Sequence, residues 1–177
     1  LVGAECEGMR GVERVLGASR GPVGAIATGT ARGAFERVVD YAKCKRIGGR
    51  RLIEQQWVQF KLAEIATDIE AGRHLTYHAA WLQDQGQPYA KEAAMAKYFC
   101  SELSMRATLG AIQVMGGAGY TNDYPVERMM RDAKICEIGE GTNDIKRLVI
   151  ARKLLEEMMA EPKMDTAPAR ELETAGT

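Results

Sequence analysis

Glu140-Gly141-Thr142 places a carboxylate one residue before a glycine and just ahead of a helix start. That grouping could act as a general base. A proton alpha to a thioester carbonyl is weakly acidic, and removing it takes a positioned base and a way to hold the charge that builds on the carbonyl oxygen. A carboxylate serves when burial raises its pKa and the substrate around it is desolvated. Gly141 lets backbone pass close to a ligand, and the Glu140 N–H could itself face the carbonyl oxygen. The plainer reading is a surface glutamate in a loop, and spacing alone favours it, because a short motif is weak evidence.

Three other groups could carry chemistry. Gly116-Gly117-Ala118-Gly119 could bring backbone close to a nucleotide. It lacks the strand before it and the helix after it that a dinucleotide fingerprint requires, so a helix end and turn is the simpler reading. Arg128, Arg131, Asp132 and Lys134 read as a solvated, ion-paired face. His74 and His78 share one helical face, but surface or packing histidines are the simpler reading, and no metal is expected. The four cysteines, Cys6, Cys44, Cys100 and Cys136, are scattered without a CxxC. They fit reduced, mostly buried thiols of a bacterial cytoplasm or a mitochondrial matrix better than zinc or a disulfide framework.

The elements that position these residues are helical. Hydrophobic residues make up 46% and charged residues 27% of 177, with a formal net charge of +0. That composition suits one soluble domain with a real core, and offers neither a basic surface for nucleic acid nor a membrane span. A short helix is expected over 9–19, stopped by Arg20-Gly21-Pro22. A second runs from Pro22 to about Arg46, with Val23, Ile26, Ala27, Ala34, Val38 and Tyr41 at three- and four-residue steps. Gly48-Gly49 breaks the chain. A helix over about 53–84 carries Trp57, Phe60, Leu62, Ile65, Ile69 and Leu75, and Trp57, Phe60 and Trp81 are read as core. After Gly86 and Pro88, a helix over about 89–115 carries Ala94, Tyr98, Leu103, Ala107 and Ile112. A short helix is expected over 124–138. Thr142 caps a last helix in which Ile145, Leu148, Val149, Leu155 and Met159 recur. Convincing strand alternation is absent. Long helices joined by short loops predict an all-α, antiparallel four-helix bundle.

Several ordered blocks resemble the C-terminal helical domain of the acyl-CoA dehydrogenase family, over about residues 1–160. They are Gln113-Val-Met-Gly-Gly-Ala-Gly-Tyr120, Tyr124-Pro-Val-Glu-Arg128, Arg131-Asp-Ala-Lys-Ile135, Glu140-Gly-Thr142 and Arg147-Leu-Val-Ile150, with Trp57-Val-Gln-Phe-Lys-Leu-Ala63 upstream. The resemblance makes residues 1–10 the exit from a β-domain and 11–160 the bundle, while polar, Pro/Ala/Thr-rich composition makes 161–177 a disordered tail. Leu1 in place of Met, and the absence of the family's two front domains, imply a piece of a longer protein, inactive alone.

The resemblance implies FAD as cofactor, an acyl-CoA substrate and a trans-2-enoyl-CoA product. Glu140 takes the alpha proton, and the beta hydrogen leaves as hydride to the flavin. Some relatives carry the base one residue before the arginine matching Arg20; here that position is Ser19, which cannot serve. Gln113, Gly116, Gly117, Gln56 and Lys45 match positions near the FAD of a neighbouring subunit. Thr142 and Asp144 match positions near the FAD beside Glu140. Arg20, Gly139 and Gly141 match substrate-side positions. Electron transfer flavoprotein is implied as redox partner, and a homodimer or homotetramer as the assembly.

Departures from the family pattern are informative. The usual Arg-x-x-Phe-Gly reads Lys45-Arg46-Ile47-Gly48-Gly49, so a forked guanidinium becomes a point charge, unless Arg46 replaces it in a shifted register. Asp144 puts a negative charge near phosphates. Gly139 stands where many relatives place a tyrosine against the acyl chain, which implies a branched, cyclic or otherwise bulky short acyl group. The other readings are a non-catalytic helical assembly module, an acyl-CoA oxidase-type flavoprotein and a nitroalkane- or hydroxylase-type relative. Retention of Glu140 counts against the module and the hydroxylase type.

Overall fold

The computed structural model describes residues 3–160. The expected tail at 161–177 and the first two residues lie outside them. Helix α1 (Gly8–Cys44) is followed by a hairpin of β1 (Arg46–Ile47) and β2 (Arg50–Arg51), then a 3-10 turn at Leu52–Glu54. Helices α2 (Gln56–Asp84), α3 (Ala90–Met115), α4 (Gly117–Tyr120), α5 (Val126–Ile138) and α6 (Asn143–Ala160) complete the described chain. The fold is all-α, as the periodicity predicts; α1, α2 and α3 reverse direction in turn, whereas α5 and α6 both run opposite to α3.

Packing contacts fix those directions. Gly24 faces Ala96, and the buried residues Ala31, Leu103 and Ala107 share one cluster with Ile65 and Ile69. At the far end Ala34, Val38 and Ala42 meet Val58, Ala111, Val114, Met115 and Val126. Helices α1 and α3 therefore run the same way, with α2 and α5 opposed to both. The α1 face that meets α3 is built from small residues, with Gly24, Ala27, Thr28, Ala31, Ala34, Val38 and Ala42 all buried. Gly72 marks a close approach of α2 to α3, since a Cβ there would lie 2.8 Å from Leu103 Cδ2 and 3.2 Å from Cys100 Sγ.

Several expectations are corrected. The stop at Arg20-Gly21-Pro22 is absent, because α1 runs unbroken for 37 residues with Pro22 inside it. Proline removes one helical hydrogen bond, and the burial of the helix face beyond it outweighs that cost of about 3 kcal/mol. Gly48 and Gly49, at φ 59° and 81°, make the two-residue turn of a short hairpin pairing Arg46 with Arg51. Positive φ at both central positions matches the twist of the strands and suits glycine.

Trp57, Phe60 and Trp81 are 50%, 60% and 56% exposed rather than core, and Ile26 is exposed as well. The register of α2 is set by Val58, Ile65, Ile69, Gly72, Thr76 and Ala79, so the aromatics fall on its outer side. The face of α6 is inverted relative to expectation. Ile145, Leu148, Leu155 and Met159 are exposed, while the residues buried are Asn143 and Lys146. Of the cysteines, Cys100 and Cys136 are buried, whereas Cys6 and Cys44 are exposed. No helix among the described residues is long and apolar enough to cross a membrane.

Candidate active site

The turn between α5 and α6 contains two successive residues in the left-handed region, Glu140 at φ 56° and Gly141 at φ 88°. A glutamate there costs roughly 1–3 kcal/mol and persists only where its surroundings hold it. Two contacts do so. The Lys146 Nζ donates to the Glu140 carbonyl at 2.6 Å, and the Ser19 hydroxyl donates to Glu140 Oε2 at 2.7 Å. Thr142 sits immediately before α6, and its carbonyl accepts from the Lys146 N–H at 3.1 Å, the position expected of a cap residue.

Beneath the turn lies a cluster of cations. Lys97 and Lys146 are 0% and 1% exposed, and Arg20 has a buried Nε without a hydrogen-bond partner. Lys97 Nζ donates to Asn143 Oδ1 at 2.9 Å and to the Glu137 carbonyl at 3.3 Å, and Ser101 Oγ donates to the same Asn143 oxygen at 3.0 Å. The Lys146 ammonium is pushed down to about 8, first by burial, then by the nearby Arg20 and Lys97 charges, with Glu140 opposing. Burial likewise pushes Lys97 down. Glu140 itself is exposed rather than buried, and the three cations beneath its turn favour negative charge building on an oxygen held there.

Sequence reasoning singled out Glu140, Gly141, Thr142, Arg20 and Ser19, and the fold brings them to one end of the bundle. Asp144 is at that end too, exposed and paired with Arg147 Nη1 at 2.6 Å, so its charge is turned to its own helix. Gly139 closes α5 in ordinary extended backbone (φ −65°, ψ 155°), and a Cβ there would meet only Ile135, whose carbonyl oxygen lies 3.1 Å away. Lys97, Lys146, Asn143 and Ser101 were missed. A lone lysine among the small residues Ala93, Ala94, Ala96 and Cys100 is the signal that could have found Lys97.

Lys45, Gln56, Gln113, Gly116 and Gly117 gather at the opposite end. Lys45 follows α1, Gln56 opens α2, and Gln113 stands in the last turn of α3. All five are exposed. Positions 20 and 45 are 25 residues apart along one helix, which at about 1.5 Å per residue separates the two groups by roughly 37 Å. One chain therefore cannot bring both groups to one small molecule. Arg46 Nη1 donates to the Gly49 carbonyl within the hairpin at 2.9 Å. Gln113 also lines an open groove of about 1010 Å³ between α2 and α3, with Phe60, Lys61 and Arg106.

The donor set of this second group fits a pyrophosphate. It offers a free-standing ammonium, two carboxamides and, at Gly116 and Gly117, backbone with nothing within 4 Å of where a Cβ would be. Gly116 has φ 61° and ψ −137°, a conformation open essentially to glycine alone.

Residues 7–155 match the family model described as acyl-CoA dehydrogenase, C-terminal domain. The chain is 48% identical over 155 residues to an acyl-CoA dehydrogenase of Bacillus subtilis, covering 88% of this chain and 41% of that protein. It is 47% identical over 157 residues to a cyclohexane-1-carbonyl-CoA dehydrogenase of Geobacter metallireducens, covering 89% and 41%. Among solved structures, butyryl-CoA dehydrogenase from Megasphaera elsdenii superposes with a TM-score of 0.85 at 41% identity, covering 86% of this chain and 40% of that one. The chain spans about two fifths of the length of the curated relatives it matches.

Proposed function

The chain belongs to the acyl-CoA dehydrogenase family, whose C-terminal domain it carries, and we propose that it supplies the base for alpha,beta-dehydrogenation of an acyl-CoA thioester to the trans-2-enoyl-CoA. The observation that carries this reading is the placement of the Glu140 carboxylate, presented on a strained turn that a buried lysine ties down. FAD, when bound, accepts the beta hydrogen as hydride.

Glu140 takes the alpha proton through its carboxylate. As the proton leaves, negative charge builds on the thioester oxygen, and the Glu140 N–H is the donor proposed for it. Arg20, Lys97 and Lys146 give the turn a positive potential that favours this charge. Ser19 cannot remove a proton at neutral pH, but it holds one carboxylate oxygen and so aims the other. Thr142 and Asp144 lie on the side of the turn proposed to face the same flavin.

Lys45, Gln56, Gln113, Gly116 and Gly117 are proposed to hold the FAD pyrophosphate or adenosine of a second copy of the chain. The separation of roughly 37 Å between the two groups supports that division. It makes the working unit a dimer or larger, and the exposed Trp57, Phe60 and α6 apolar residues offer surface for it. Electron transfer flavoprotein is the acceptor that the same reading implies.

The missing side chain at Gly139 is read as suiting a branched, cyclic or bulky short acyl substrate, and a relative named for cyclohexane-1-carbonyl-CoA agrees with it. Full-length flavoprotein containing this domain, mixed anaerobically with acyl-CoA esters and an electron acceptor, tests the reading. Isobutyryl-, isovaleryl- or cyclohexanecarbonyl-CoA should reduce the acceptor faster than long straight-chain esters. Preference for long straight chains would refute the substrate class, and no reduction by any ester would refute the activity.

A further inference from the structure

We propose that Lys146 is a positioning residue for the base: its ammonium holds the Glu140–Gly141 peptide in the left-handed turn and so fixes where the Glu140 carboxylate points. The proposal rests on reading Glu140 as the base.

Two geometric observations carry it. Lys146 Nζ lies 2.6 Å from the Glu140 carbonyl oxygen. A Cβ at position 141 would fall 2.7 Å from the same Nζ, so the ammonium fills the space a side chain would need. Gly141 and Lys146 therefore fit each other, and the glycine is explained by the lysine as well as by its φ of 88°.

The energetics point the same way. Lys146 is 1% exposed, and among the described residues it makes no salt bridge; its partner is a neutral backbone carbonyl. Arg20 and Lys97 add repulsion. Burying an unpaired ammonium beside two other cations is unfavourable, and an apolar side chain of similar volume would be the more stable occupant. A costly group kept on the first turn of α6, with its head on the base's own carbonyl, suits a site that trades stability for geometry.

Lys97 braces the same turn from α3. It ties the Glu137 carbonyl, near the end of α5, to Asn143, the first residue of α6. The turn is thus held at both flanks by one buried lysine and at its centre by the other. Ser19 fixes the side chain, while Lys146 fixes the backbone that carries it.

The test compares Lys146→Met and Lys146→Gln with the parent, all in the full-length flavoprotein, with Glu140→Gln in parallel. Methionine fills the volume without a donor, and glutamine restores a neutral donor. Lys146→Met should lower kcat about 10²-fold with KM changed much less, the scale of a misplacement of about 1 Å. Its melting temperature should equal or exceed the parent's. Amide hydrogen exchange across residues 139–142 should quicken in Lys146→Met and return toward the parent in Lys146→Gln, with most of kcat restored. Unchanged kcat and unchanged exchange in Lys146→Met would overturn the proposal. So would a loss of kcat that tracks a fall in melting temperature and is not rescued by glutamine. If Glu140→Gln stays fully active, the base assignment fails, while the exchange measurement still decides whether Lys146 holds the turn.

Discussion

Ser19 Oγ and Glu140 Oε2 lie 2.7 Å apart although 121 residues separate them in sequence. The hydroxyl also lies 3.3 Å from the Leu16 carbonyl, and its single proton serves the nearer carboxylate. The position one residue before Arg20 and the position one residue before Gly141 thus address the same point in space. A carboxylate grown from either backbone could reach it.

A relocation of the base follows from that distance. Glu140→Gly should lower turnover by about 10²–10⁴-fold, the usual worth of a general base. Adding Ser19→Glu to it should recover about tenfold or more of that loss, since the new carboxylate grows toward the vacated point. Steady-state rates on one acyl-CoA ester check this. A double variant no faster than the single would show that the two positions do not share a reacting point.

Gly141→Ala should be costly for two reasons, its φ of 88° and the Lys146 ammonium 2.7 Å from the new Cβ. Left-handed backbone in a residue bearing a Cβ costs about 1–2 kcal/mol, and displacing the ammonium adds to that. Thermal unfolding should show a fall of several degrees, on a scale of about 2–4 °C per kcal/mol. A melting temperature within one degree of the parent's would mean that the turn relaxes freely.

Much of this site could not be read from the chain. Helical periodicity located the long helices, the glycine pairs located the breaks, and Glu140-Gly-Thr142 pointed to the turn itself. The one-dimensional pattern could not show that Trp57, Phe60 and Trp81 lie on the outer side of α2, because an apolar stripe looks the same whether it covers its own core or another surface. Pro22 reads as a helix start, and only the packing beyond it reveals one continuous helix. The burial of Lys97 and Lys146 emerges only from the fold. The separation of Lys45, Gln56, Gln113, Gly116 and Gly117 from Glu140 depends on the direction of α1, which motif spacing does not carry.

Lys146 also sets a pH dependence. Its folded-state value, about 8, lies below its ordinary 10.5. Between those values the unfolded chain holds more protons than the folded one, so stability from this residue rises with pH through that window. Below about pH 8 the penalty of the buried charge is fully present. Lys146→Met should therefore gain most over the parent near pH 7, and the gain should shrink by pH 9.5. Denaturant unfolding of both proteins at the two values checks it, and a gain that grows with pH would contradict it.

The identity of the base is tested most directly by exchange of the substrate's alpha proton. Full-length flavoprotein in deuterium oxide, given an acyl-CoA ester or a non-oxidisable analogue, should place deuterium at the alpha carbon. With Glu140→Gln, which keeps the shape and removes the basicity, that exchange should fall by about 10²–10⁴-fold while the ester still binds. Exchange at the parent's rate in Glu140→Gln would contradict the assignment of Glu140 as the base.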